Sequence, residues 1–166
     1  MRAYLVQYTA QMSQITIQSA SSPNDAAELD ELLWRTLWQP LGLPRNVRDQ
    51  FKLEGDSLEL LARENGRLIG GLVAVWTSDT QLELRHLAVE PQSQNHGIAR
   101  QLIDHLIEIV RPKGCRRIHT IARNTSIAFF KKLGFTNTPD AVPDHPLFKK
   151  HGITFQHMEK FIEVAL

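Results

Sequence analysis

The chain is predicted to fold as one α/β (α+β) domain, a mixed and mostly antiparallel sheet flanked by helices. Three observations predict it. Three strand-like segments follow one another with short turns, at 57–63, 68–77 and 81–90. A long helical pattern then separates the third from another short strand, which makes a βαβ unit and one parallel pairing. The chain's 166 residues, 42% hydrophobic and 22% charged, suit one domain with a sizeable core.

Each element has a local cause. Ile15 and Ile17 alternate with polar residues over 13–19, which reads as a strand. Ser22, Pro23 and Asp25 then supply a helix cap, a first helical residue and a capping-box acid. Leu29, Leu33 and Leu37 repeat at four, so this helix buries one face and ends by Pro40. Residues 40–56 carry Pro and Gly and read as loop, with a short helix near Val47 to Phe51. Asn65-Gly66 is a strong two-residue hairpin turn. Pro91 stops the third strand of the meander, and 97–110 is an amphipathic helix carrying Ile98, Leu102, Leu106 and Ile109 on one side. Lys113-Gly114 ends it. A short strand over 117–121 follows, then a helix capped by Asn124 or Thr125 and closed by Gly134. A Pro-rich loop leads to a strand over 154–161, and the order reads β-α-(α)-β-β-β-α-β-α-β-β.

Met12 precedes the first clean strand, so residues 1–12 read as an N-terminal extension or extra segment and 13–166 as the domain. A net charge of +1 gives no electrostatic case for nucleic acid or a membrane surface. No apolar run is long enough to span a bilayer, and the N-terminus lacks the apolar stretch of a signal peptide. The lone Cys115 excludes an intrachain disulfide and is read as a packed residue, and a cytoplasmic location is the simplest fit. His145, His151 and His157 lack metal-site spacing, so no metal is expected.

The chemistry is expected where the third meander strand meets the long helix. The first amides of a helix have no internal partner, and the helix dipole makes that end positive. The small residues Gly97 and Ala99 let an anion approach the backbone, and Arg100 adds a charge on the first turn. This arrangement suits a pyrophosphate, although a glycine at such a junction also occurs with no ligand, and no Walker A sequence is present.

Residues 94–99 (QNHGIA) resemble the Gln/Arg-x-x-Gly-x-Gly/Ala motif of the GNAT superfamily of N-acetyltransferases. Residues 87–91 (LAVEP) resemble the end of that family's fourth strand, and 128–135 (AFFKKLGF) its A-x-L-Y-E-K-L-G-F helix end. The three elements stand in the family's order over about residues 81–136. The resemblance implies the acyl-CoA N-acyltransferase fold and acetyl-CoA as co-substrate. It implies that backbone groups of Leu87, Ala88 and Val89 pair with the pantetheine arm in a gap between two strands. It further implies that the amides of Gln94, Asn95, His96, Gly97, Ile98, Ala99 and Arg100 hold the pyrophosphate. Val89 N–H would polarise the thioester carbonyl. A homodimer is implied by family habit.

The implied activity is acetyl transfer to a primary amine by direct attack, the acceptor being a small amine or amino-acid-like metabolite. A protein lysine or N-terminal amine is the second enzyme reading, and a non-catalytic acyl-CoA-binding regulatory module is the reading from a different class. A lysine-like amine titrates near about 10.4, so a base would raise its reactive fraction. Glu83, eleven residues before Gln94, matches the glutamate base of some lysine-acetylating members; His86 is the second candidate base. A regular strand puts them on opposite faces, and a bulge would bring them together. Read without a ligand, Glu83 is a solvated strand residue and His86 packs. Phe130 stands where many members have the Tyr that protonates the thiolate, so that proton must come from elsewhere. Asn124 is one residue out of the family's Asn register, which Arg123 occupies; its roles are a coenzyme contact or a helix cap. Trp34 and Trp38, at i and i+4, are candidates to line the acceptor site or to fill core.

Overall fold

Alternating apolar residues, hairpin turns and one long amphipathic helix assemble into a sheet with helices on both faces. The computed structural model describes residues 14–51 and 54–164; the extension read over residues 1–12 lies outside them. In chain order the elements are β1 (Ile15–Ser19), α1 (Pro23–Leu33), β2 (Ser57–Glu64), β3 (Arg67–Trp76), β4 (Gln81–Val89) and α2 (Ile98–Val110). Then come β5 (Arg117–Arg123), α3 (Ile127–Lys132), β6 (Thr136–Asn137), α4 (Pro146–Lys150) and β7 (Phe155–Phe161). The described strands form one seven-stranded sheet in the order β1-β2-β3-β4-β5-β7-β6. Every pairing is antiparallel except β4 with β5, because α2 carries the chain across a sheet face between them. No helix among the described residues is long and apolar enough to cross a membrane.

The start of α1 follows its cap chemistry. Ser22 Oγ accepts from Asp25 N–H at 3.1 Å, while the Asp25 carboxylate reaches back to Ser21 N–H at 3.0 Å. One core lies on the α2 side, where Leu102, Leu106, Phe130, Phe135 and Met158 are buried together. The other lies on the α1 side, with Leu29, Leu33, Trp38, Val73 and Phe148.

Three expectations change. The Pro-rich segment read as loop contains α4, started by Pro146 at its first helical positions and anchored by the buried Phe148. The helix expected from Asn124 or Thr125 begins at Ile127, after a 3₁₀ turn over Asn124–Ser126. Asn124 cannot cap it, because its carboxamide donates to Gly152 O and accepts from Thr154 N–H. The segment after α1 widens into a π-helical turn, Trp34–Trp38, and the two tryptophans take different partners. Trp34 Nε1 donates to Leu43 O at 3.0 Å, whereas Trp38 is buried in the α1-side core. Cys115 is buried, which pushes its thiol pKa up and fits a packing role.

Candidate active site

The site begins where two strands part. β4 and β5 pair from Gln81 and Arg117 as far as Leu84 and Thr120, and not beyond. Thr120 Oγ1 donates to Leu84 O at 3.0 Å on this last rung. The divergence starts at a β-bulge: Val73 opposes His86 and Ala74 opposes Leu84, so Arg85 is the extra residue. A bulge bends its strand and sharpens the twist, which turns the end of β4 away from β5.

Ladder alternation decides which backbone groups face the gap. Glu90 N–H donates to Ile69 O, so Ala88, two residues earlier, is also bonded to β3. Leu87 and Val89 lie on the intervening rungs and turn their N–H and C=O groups into the gap. Across it, Asn124 N–H bonds to Thr154 O, so Ile121 and Arg123 face inward by the same rule. Of the expected trio, Leu87 and Val89 are available to a ligand lying between the strands, and Ala88 is not.

Below the gap the turn into α2 presents free amides. Gln94 Nε2 donates to Val89 O at 3.0 Å and folds the turn back on β4. Asn95 and Gly97 take positive φ values of 66° and 78°. Helical bonding starts with Gln101 N–H to Gly97 O, and no side chain caps the helix. The amide of Gln94 points back to Pro91 O, while among the described residues those of Asn95, His96, Gly97, Ile98, Ala99 and Arg100 have no internal partner. A Cβ on Gly97 would meet nothing within 4 Å, so backbone conformation rather than crowding selects glycine there. Six unpartnered amides at a helix N-terminus, with the helix dipole behind them, leave that end of α2 partially positive without help from a side chain.

A cavity of about 410 Å³ runs through the gap, from Leu84, Ala122 and Phe130 of the α2-side core to Trp38, His86, Arg123 and Phe148 on the α1 side. The bulge determines what enters it. Glu83 opposes Val75 and His86 opposes Val73, so both candidate bases emerge on one face. They are not equally placed. His86 lines the cavity, its ring edge-on to Trp38 with centroids 5.0 Å apart. Glu83 is buried, outside the lining residues, and paired to Arg85 Nη1 at 2.9 Å.

Burial, and then the guanidinium charges of Arg48, Arg85 and Arg123, push the His86 imidazole down to about 3. It is therefore neutral at pH 7. Taking a proton from an ammonium near about 10.4 would be uphill by roughly 7 pK units, about 10 kcal/mol. His86 serves better as a neutral hydrogen-bonding group than as a base. The same shift predicts a stability effect. The unfolded imidazole protonates near about 6.5 and the folded one does not until about 3, so stability present above pH 6.5 is lost as pH falls between these values. In urea unfolding between pH 6 and pH 4, wild type should lose about 1 kcal/mol per pH unit more than His86→Gln. Equal slopes would mean that folded His86 protonates normally.

Other expected residues separate. Phe130 lines the cavity, buried and edge-on to Phe129 and Phe135. Ser126, one turn earlier, also lines it, and its hydroxyl caps nothing. Asn124 is occupied by the strand-entry loop at Gly152 and Thr154. Trp38 lines the cavity and Trp34 does not. His145 lies at the cavity's exposed side against Phe148, while His157 stacks on His119 and meets Thr138. Sequence reasoning passed over Arg123, whose Nη2 donates to Leu37 O at 3.0 Å while its guanidinium covers Phe148. A signal for the bulge was present: apolar residues at Leu82 and Leu84, then at Leu87 and Val89, slip by one position across Arg85.

The family model described as "Acetyltransferase (GNAT) family" matches residues 24–135. Serotonin N-acetyltransferase 2, chloroplastic, of Oryza sativa subsp. japonica is 24% identical over 132 residues, 76% of this chain and 64% of the relative. The amino-acid acetyltransferase of Aeromonas salmonicida (strain A449) is 26% identical over 161 residues, 93% of this chain and 35% of the relative. The chain thus spans less than two thirds of each. The crystal structure of an aminoglycoside 6′-N-acetyltransferase complexed with coenzyme A superposes with a TM-score of 0.72 at 17% identity, over 91% of this chain and 99% of that one. At that identity the likeness concerns the fold.

Proposed function

Because the chain belongs to the acetyltransferase (GNAT) family, we propose that it moves an acetyl group from acetyl-CoA to a primary amine of a small metabolite by direct attack. The observation that carries this reading is the strand gap beyond Leu84 and Thr120, whose β4 edge runs into the turn that bears the uncapped amides of Asn95–Arg100. A pyrophosphate fits those amides, and an extended pantetheine arm fits the inward backbone groups of Leu87 and Val89. Acetyl-CoA would supply the acetyl group already activated as a thioester.

The chain's own groups then divide the work. Val89 N–H is aimed into the gap, where it can donate to a thioester carbonyl as negative charge builds on its oxygen. Glu83, one turn of strand away and held by Arg85, receives the amine's proton through water. His86 stays neutral and orients. Phe130 cannot protonate the departing thiolate, and the hydroxyl of Ser126, which lines the same cavity just before α3, is assigned that proton. A thiol is a modest leaving group to support, with a pKa near about 8.5. Much of the rate is expected from positioning. The cavity of about 410 Å³ includes the gap itself, and its α1-side end, walled by Trp38, Phe148 and Phe155, suits a small acceptor better than a protein chain.

Titration calorimetry with CoA and with ADP, followed by thiol release from acetyl-CoA across an amine panel, tests the proposal. Saturable CoA binding well above that of ADP, with turnover of at least one amine, is expected. Equal affinity for ADP would remove the role of the pantetheine gap. CoA binding with no turnover would leave a binding module, a reading that Phe130 in place of tyrosine favours.

A further inference from the structure

The cavity's charge balance is one-sided. Among the described residues lining it there is no carboxylate, while Arg85 and Arg123 both contribute. Two of the three guanidiniums around His86 are already neutralised. Arg85 pairs with Glu83, and Arg48 pairs with Asp30 and Glu59. Arg123 is different: its contacts are the Leu37 carbonyl and the face of Phe148, and no carboxylate lies within ion-pair distance of it among the described residues. Burial pushes its pKa down, as expected for a cation taken from water without a counter-ion. Nη2 uses one of its two N–H donors on Leu37 O, which leaves its second N–H, together with the parallel N–H of Nη1 or Nε, to form a fork for an anion. The sheet places it correctly: Arg123 is on the face of β5 that carries Arg117, His119 and Ile121, opposite to Ile118 and Ala122 of the α2-side core. It therefore shares the α1-side end of the cavity with His86.

We propose that the acceptor is a primary amine that also bears a carboxylate, an amino acid or a close analogue, and that Arg123 binds that carboxylate. This rests on the acetyltransferase reading given above and names its substrate class. The walls beside Arg123 are Leu37, Trp38, Phe148 and Phe155, so the body joining amine and carboxylate is apolar. Polycationic acceptors are disfavoured, because they would bring further positive charge to a site already holding an unneutralised guanidinium.

Matched acceptor pairs test this: L-leucine against L-leucinamide, L-phenylalanine against phenethylamine, and β-alanine against 2-aminoethylphosphonate. For wild type, kcat/KM should favour the carboxylate member of the first two pairs by about 100-fold. For the leucine pair that preference would run against intrinsic reactivity, since the leucinamide amine is the weaker base and is more often unprotonated. In Arg123→Gln the ratio should fall to about 1, mainly through KM for the acid, and Arg123→Lys should restore part of it. Calorimetry on the CoA-saturated protein supplies a readout independent of turnover: the acid should bind measurably and its uncharged partner should not. Equal treatment of acid and amide, a ratio that survives in Arg123→Gln, or no binding of either member to the CoA-loaded protein overturns the inference alone. A preference for 2-aminoethylphosphonate over β-alanine overturns the carboxylate in favour of a phosphate-like group. Failure to bind acetyl-CoA at all would overturn the proposed function, and this inference with it.

Discussion

Gly97→Asp is expected to lower CoA affinity by about 100-fold while leaving the fold intact. A Cβ at this position meets nothing within 4 Å, so the substitution creates no clash. Its φ of 78° is left-handed, which costs an L-residue about 1 kcal/mol, least for Asp and Asn. A carboxylate at a helix N-terminus returns about 0.3–1 kcal/mol through the dipole. The net change in Tm should therefore stay within about 4 °C. The ligand experiences the opposite sign. A carboxylate some 4 Å from a diphosphate repels it by about 1 kcal/mol in water and about 4 kcal/mol near a protein surface, and a value between these is about 100-fold in affinity. Gly97→Asn isolates the charge, because it carries the same backbone cost, and it should lose less than about 10-fold. The Asp defect should also shrink in high salt. Calorimetry with CoA on the three proteins reads all of this. Equal losses in Asp and Asn, or none in either, would remove the pyrophosphate from the start of α2.

Gly71→Ala is expected to cost about 2 kcal/mol of stability, lowering Tm by about 4–8 °C. A Cβ at Gly71 would lie 2.2 Å from Leu29 Cδ1, and Leu29 is fully buried, so neither group can move into solvent. Glycine is required here for close packing: it lets α1 lie directly on β3. Leu29→Ala alone opens a cavity and should cost about 2–5 kcal/mol. The double variant should cost less than the sum of the two, because the new methyl occupies space that Leu29 vacated. Urea unfolding of the four proteins measures the coupling; strict additivity would mean that α1 shifts rather than clashes. The site is affected as well, since Gly71 opposes Ala88 on β4 at the gap. Displacement of α1 should raise the acceptor KM more than the coenzyme Kd.

Much of the architecture was legible because it rests on local chemistry. The Asn65-Gly66 hairpin, the Ser22 cap, the β4 stop at Pro91 and the amphipathic face of α2 each depend on residues a few positions apart. The turn with free amides before α2 was legible for the same reason. Its amides belong to consecutive residues, and Gly97 is needed for its own φ. Less of the acceptor side could be read. The bulge at Arg85 is a mismatch between two strands, so it exists only in the pairing of β4 with β3, although the apolar slip from Leu84 to Leu87 marks it. Helix α4 was hidden among prolines, and its anchor is the burial of Phe148 under a remote helix.

By itself the sequence determined the order of elements apart from α4, the mixed sheet with its one parallel pairing, and the stretch of unpartnered backbone amides at the start of α2. These follow from periodicity, turn residues and unsatisfied helix amides, which act over a few residues. Only the tertiary structure decided that Glu83 and His86 share a face and that His86 is held neutral by burial among three arginines. It alone set Arg123, beside Leu37 and Phe148, in a cavity whose described lining has no carboxylate. Burial and electrostatic fields sum over groups far apart in the chain, so the charge state and counter-ion of a side chain take their values only after the sheet has closed around it.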